Sequence, residues 1–267
     1  MNLPSNQPVW KEKKVSKFDK WWLLLAGVIA LILLLIFTSP EPFMHIFLYV
    51  RYGIWTTISL TGISFLLVLV LGLVIALMRL SKSNALRGIS TVYVEIIRGI
   101  PLMVQLIFWY FAIPSIIQDL GHSLNIDSLI HFRTDAISMA ILGLTICYSA
   151  YMSEVYRAGI QSITKGQMEA ARSLGMNYFQ SMRFVILPQA LRVILPPVGN
   201  EFITLLKDSS LVSVVAVADL TRRGREFMAA NFLPIQTWVM IALLYLVLTL
   251  LAGRIVAWME RRFKLEK

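Results

Sequence analysis

One cysteine, Cys147, stands among 267 residues, and it lies inside an apolar run. A disulfide within the chain and a cysteine-based metal site are both excluded. Histidine is nearly as scarce: His45, His122 and His131 are scattered without ligand spacing, so no metal is assigned. No G-x-x-x-x-G-K-[ST] phosphate loop occurs, so in any nucleotide-driven process another chain would handle the nucleotide. Internal repeats, low-complexity segments and a soluble domain are missing as well. Acidic residues number 15 against 25 Lys and Arg, a net charge of +10. Such a charge could attract nucleic acid, but the basic residues sit mostly at the ends of apolar runs. There they orient a membrane protein and meet anionic lipid, which argues against a nucleic-acid partner.

Apolar sequence is what the chain has in excess, with 57% hydrophobic residues and a mean hydropathy of +0.70. Runs long enough to cross about 30 Å of hydrocarbon predict six spans. They fall at Trp21–Phe37, Ile54–Met78, Thr91–Ile113, Ala136–Val155, Val193–Val217 and Ile235–Val256. The residues between the third and fourth, Pro114–Asp135, read as an external excursion. A basic arm (residues 1–20) precedes the first run, which exceeds a signal-peptide core and ends in TSPEP with no small-x-small cleavage pattern. It is read as a retained span. Eighteen Lys and Arg fall on one side of this arrangement and five on the other, with Arg98 and Lys207 inside spans. The positive-inside rule then makes both termini cytoplasmic, together with a short tail at residues 259–267.

Between the fourth and fifth runs lies the least apolar stretch. Thr164-Lys-Gly-Gln167 has the form of a capping box and predicts a helix from about Lys165. Gly175 is placed to end that helix in the left-handed conformation. Asn177 can cap a second short helix from Tyr178 to about Val185, and Pro188 fits the early positions of the helix that follows. Met168, Ala171 and Leu174 share one face, and the small Ala170–Ala171 pair would let another surface approach closely. By spacing alone this hairpin is either an amphipathic element on the membrane surface or a docking knob.

The residues Glu169-Ala170-Ala171, then Gly175, then Leu187-Pro188 resemble the EAA loop of ABC-transporter membrane subunits, EAA-x3-G-x9-I-x-L-P. Every spacing agrees, with Val185 where isoleucine is usual. Two further segments, YVEIIRGIPLMVQL (Tyr93–Leu106) and GNEFITLLKDSSLVSV (Gly199–Val214), are similar to those of the polar amino-acid uptake family of type I importers. The resemblance implies an all-α membrane bundle: a five-span permease core (residues 52–258), an additional N-terminal span (residues 21–37), and a cytoplasmic coupling hairpin (residues 164–188). It implies that Glu169, Ala170, Ala171, Gly175, Leu187 and Pro188 couple to an ATPase. It also implies two ATPase chains that bind ATP and magnesium, a second permease chain, identical or homologous, and an extracytoplasmic amino-acid-binding protein. This chain itself would perform no chemistry and would sit in the inner membrane. The rivals are an ion-coupled secondary carrier and a non-transporting membrane receptor.

Charged groups at bilayer depth usually face a bundle interior or a water-filled path. Glu95 and Arg98 form an ion pair or line such a path, whereas Glu154 and Arg157 read as a boundary pair. The fifth run carries Pro196-Pro197, Glu201 and then Lys207-Asp208-Ser209-Ser210, a broken helix of the kind that lines a cavity. Glu201, Lys207, Asp208 and Ser209 are therefore candidates for a substrate path, since an α-amino acid presents one ammonium and one carboxylate. The alternative is that Lys207 and Asp208 satisfy each other. Arg222, Arg223 and Arg225 run against the charge trend, and are either solvated or placed to meet acidic groups of a binding protein.

Overall fold

The computed structural model describes residues 20–263. Apart from Lys20, the basic arm lies outside the described residues, as do the last four residues of the tail. Among the described residues every regular element is helical. Six helices are long and apolar enough to cross a membrane: Trp21–Thr38, Pro40–Leu80, Leu102–Leu124, Ala136–Gln161, Tyr178–Val215 and Pro234–Arg262. They are called the first to sixth spans. Because the spans alternate in direction, the start of the first, the end of the fourth and the end of the sixth share one end of the bundle with the hairpin.

The third span is not where hydropathy placed it. A separate helix, Asn84–Gly99, ends at Ile100, which is extended (φ −105°, ψ 131°), and the span begins only at Leu102. Pro101 explains the break, because its ring pushes the preceding residue out of the helical region. Gln105 repairs it: its Nε2 donates to the carbonyls of Ile97 and Ile100, both at 2.8 Å. The expected external excursion from Pro114 is in turn helical as far as Leu124. A π-helical turn at Phe108–Ala112 precedes Pro114, opening the helix where the proline ring would otherwise meet a carbonyl four residues back. Met182–Ile186 makes a second π turn just ahead of Pro188. The predicted short helix at Tyr178 therefore runs unbroken into the fifth span.

The fourth span is the centre of the bundle. Its Leu144, Cys147, Tyr148 and Met152 pack with Leu60 and Val68 of the second span, Leu106 of the third, and Leu205 and Val212 of the fifth. Glycines let helices approach to backbone contact, since a Cβ on Gly72 would lie 2.8 Å from that of Met152, and one on Gly199 would collide with Val256. A second core joins Leu25, Val28 and Ile32 of the first span to Ile46, Val50, Met240 and Leu244. The N-terminal span is thus packed against the second and sixth spans.

Candidate functional site

The hairpin helix runs Lys165–Ser173. Thr164 stands at its N-cap, but its hydroxyl makes no capping bond; only the backbone turn from Gln167 N to Thr164 O, at 3.1 Å, is present. The capping box expected at Thr164 is thus not formed; one stands instead at the next helix, whose expected cap Asn177 accepts from Gln180 N through its Oδ1 while Gln180 Oε1 accepts from Asn177 N, both at 2.9 Å. Gly175 has φ +82°. Around it Met176 N donates to Ala171 O at 3.2 Å and Gly175 N to Arg172 O at 3.0 Å, the double closure of a Schellman motif. Ala171 is buried beneath the hairpin, whereas Leu174, Tyr178, Phe179 and Phe184 project from it at 63–81% exposure. Glu169, Ala170, Leu187 and Pro188 are exposed beside them. The result is a small apolar knob on a rigid turn.

The hairpin hangs from the end of the fourth span. There Glu154 takes Arg157 at 2.7 Å and also pairs with Arg79 of the second span. Arg157 Nη1 reaches Gln161 at 2.5 Å. The expected boundary pair is therefore a three-residue clasp, and Arg79 is the member that local spacing could not reveal.

Halfway along the bundle the fifth span changes character. Regular helix ends at Asp208, a 3-10 segment follows over Ser209–Val215, and Ala216 is left-handed at φ +64°. Lys207 and Asp208 make no ion pair among the described residues. Neighbours in a helix point about 100° apart, so each finds its own surroundings. Asp208 Oδ2 accepts the buried Tyr148 hydroxyl at 2.6 Å. Lys207 faces an open recess of about 610 Å³ with Ser210, Thr221, Tyr245 and Thr249. Glu201 is half-buried and within electrostatic range of both Arg98 and Asp208. Ser209 is enclosed, and its hydroxyl donates to Leu206 O at 2.8 Å. Arg98 makes no ion pair with Glu95 among the described residues; its guanidinium lies 5.1 Å from the ring centre of Tyr151. Tyr148 and Tyr151 stack obliquely, 6.1 Å apart. These tyrosines and Gln105 were missed in the sequence. Their one signal was polar atoms on otherwise apolar helices, which also suits ordinary core packing.

At the end away from the hairpin, Asp219 caps the helix Leu220–Asn231, accepting from Thr221 N and Arg222 N at 3.1 and 2.9 Å. Burial holds its carboxyl above the usual range. The arginines of this helix are not simply solvated. Arg222 and Arg223 pair with Glu226 at 2.9 and 3.6 Å, and Arg225 donates to Ser213 Oγ at 2.9 Å. The Arg222 hydrogen bond, with the positive charges beside it, lowers the Glu226 carboxyl below its ordinary value.

Known proteins are similar to this chain in sequence and fold. The pattern of the binding-protein-dependent transport system inner membrane component family matches residues 68–265. The glutamine transport system permease protein GlnP of Escherichia coli is 39% identical over 197 residues, covering 74% of this chain and 84% of the relative. The L-cystine transport system permease protein TcyB of Bacillus subtilis is 38% identical over 211 residues, covering 79% and 84%. Among solved structures, that of an amino acid ABC transporter with histidines superposes with a TM-score of 0.70 at 36% identity, covering 85% of this chain and 98% of the other. These likenesses leave no support for the ion-coupled carrier and put ATP hydrolysis on a separate subunit. The exposed hairpin, the broken fifth span and the matched sequence together place the chain in the binding-protein-dependent transport system inner membrane component family, as a membrane-spanning permease subunit of an ABC importer.

Proposed function

We propose that this permease carries a polar amino acid handed over by an extracytoplasmic binding protein, powered by two ATPase subunits that bind ATP and magnesium. The observation that carries the substrate class is the mixed-sign cluster at the break in the fifth span. Asp208, Glu201 and Arg98 gather there around Tyr148 and Tyr151, and Lys207 lies on an adjoining face. Both ends of a zwitterion find partners of opposite charge in such a cluster. Relatives named for glutamine, arginine and cystine support the same class.

The remaining parts follow from this reading. Glu201, Lys207 and Asp208 line the path, and Ser209 holds the bend. The hairpin at residues 164–188 enters a groove on the ATPase, with Glu169, Ala170, Ala171, Gly175, Leu187 and Pro188 shaping the contact. Residues 52–258 form the transport core with a second permease chain, identical or homologous, and residues 21–37 are an additional span. The chain lies in the inner membrane with the hairpin and both termini in the cytoplasm, where the excess of Lys and Arg belongs.

Reconstitution of the whole transporter with its binding protein tests the proposal. ATP-dependent uptake should be competed by polar amino acids and not by leucine or a sugar. Uptake that persists without the ATPase, or substrate binding with no substrate-dependent ATP turnover, would overturn it. Gly175→Val isolates the coupling step. At φ +82° a non-glycine residue costs about 1–2 kcal/mol, more when β-branched, although a Cβ there would meet nothing within 4 Å. Insertion should survive while ATPase docking weakens and uptake is lost; normal uptake would show that the hairpin turn does not couple.

A further inference from the structure

At the hairpin end, the first and sixth spans enclose a recess of about 710 Å³ that no part of the transport scheme uses. Its lining is Trp22, Arg254, Ile255, Trp258, Arg261 and Arg262. Three guanidinium groups and two indoles thus line one recess at this end of the bundle. The Arg254 guanidinium lies over the Trp22 ring at 5.1 Å, and Trp21 reaches within 3.5 Å of where a Cβ on Gly253 would stand. The two helices therefore cross in contact, and the recess is a feature of their packing.

The depth of this recess follows from helix geometry. Trp258 stands 24 residues into the helix that begins at Pro234, about 36 Å along its axis at 1.5 Å per residue, just beyond a hydrocarbon core of about 30 Å. Trp22 is in the first turn of its own helix. Both indoles therefore sit at headgroup depth, with Arg261 and Arg262 beyond them toward water. Trp258 is 59% exposed and Trp22 52%, so both indoles are open to what surrounds the bundle at that depth. The nearest acidic side chain on the sixth span, Glu260, lines the adjoining apolar recess with Phe65 and Phe202. In the sequence, five lysines stand between residues 11 and 20, ahead of Trp21.

We infer that the first and sixth spans together form a binding site for an anionic phospholipid. Its phosphate pairs with Arg261 and Arg262, and its glycerol and upper acyl chain lie along Ile255 and the two indoles. Basic recesses between membrane helices at the headgroup level suit such lipids, and interfacial tryptophan suits their ester region. A free inorganic anion would use the arginines alone and leave the apolar wall uncovered. The site gives the N-terminal span a ligand of its own, independent of the substrate carried.

The purified transporter, ATPase subunits included, can be titrated in mild detergent with phosphatidylglycerol or phosphatidylcholine and read by native mass spectrometry. Phosphatidylglycerol should be retained in preference to phosphatidylcholine. Each arginine near a charged headgroup strengthens attachment about five-fold, so Arg261→Gln with Arg262→Gln should weaken phosphatidylglycerol retention about thirty-fold and leave phosphatidylcholine unchanged. Excess inorganic phosphate should not displace the lipid; complete displacement would make this a free-anion site and overturn the inference. Equal retention of the two lipids, or unchanged retention in the double variant, would do the same. A second readout needs no variant. Phosphatidylglycerol brominated on its acyl chains, in nanodiscs holding the wild-type transporter, should quench tryptophan emission more than brominated phosphatidylcholine at the same mole fraction. Equal quenching, as expected if a neighbouring subunit seals the recess, overturns the inference.

Discussion

The hydrogen bond between Tyr148 and Asp208 joins the centre of the fourth span to the point where the fifth changes from α to 3-10 helix. Its length of 2.6 Å and its charged acceptor put its contribution at about 1.5–3 kcal/mol. Tyr148→Phe removes the donor and leaves the carboxylate short of a partner. Asp208→Asn keeps the shape and removes the charge. If the two side chains act on each other, the double variant should be less destabilised than the sum of the singles, by a coupling energy within that same range. Unfolding of the purified complex gives the stability cycle, and uptake in proteoliposomes gives the kinetic one. With a substrate ammonium or cationic side chain held by Asp208, Asp208→Asn should raise KM about ten- to hundredfold. Tyr148→Phe, which retains the carboxylate, should raise it far less. A coupling energy under about 0.5 kcal/mol would refute the geometric account of the break. Unchanged uptake kinetics in Asp208→Asn would refute the path role and leave the residue a strut.

Two further outcomes can be checked on the same complex. Glu154→Gln leaves Arg79 and Arg157 facing each other without their shared anion. The side chains keep 13–30% of their exposure, so the cost should be about 1–3 kcal/mol, below that of a fully buried pair, and an unchanged melting curve would refute the clasp. Glu226, whose carboxyl is lowered in the folded state, adds stability that is present above its unfolded value, near 4.5, and lost as pH falls through the folded one. Glu226→Gln should flatten this acid limb of the stability profile, and identical profiles for the two proteins would count against the Arg222–Glu226 pair.

The hairpin was legible because its rules are local. Gly175 and Asn177 do at their positions what their conformational preferences dictate, whatever packs against them. Thr164 shows the limit of such rules: its spacing to Gln167 suits a capping box, yet the hydroxyl does not engage and the turn is held by backbone alone. The third span was misplaced for a different reason. Hydropathy averaged over a window passes smoothly through Gly99-Ile100-Pro101, and the side chain that stabilises the break, Gln105, reads as a blemish in an apolar run. Tyr148 was hidden too, since its partner is 60 residues away. Charge asymmetry predicted the far-end arginines to be solvated or partner-bound; their pairing with Glu226 depends on i,i+3 and i,i+4 contacts on a helix that hydropathy did not single out.

If the hairpin couples to an ATPase as proposed, the unbroken run from Tyr178 at the hairpin to Asp208 at the break would act as a connecting rod between them. Its 30 residue steps make a length of about 45 Å, so a swing of about 10° at the hairpin would carry Asp208 sideways by about 8 Å. The π turn at Met182–Ile186 and the Pro196-Pro197 pair are the two places along it where regular α-helical hydrogen bonding is interrupted. On that reading, a rod loosened at either place would let the hairpin move while the cluster stayed still.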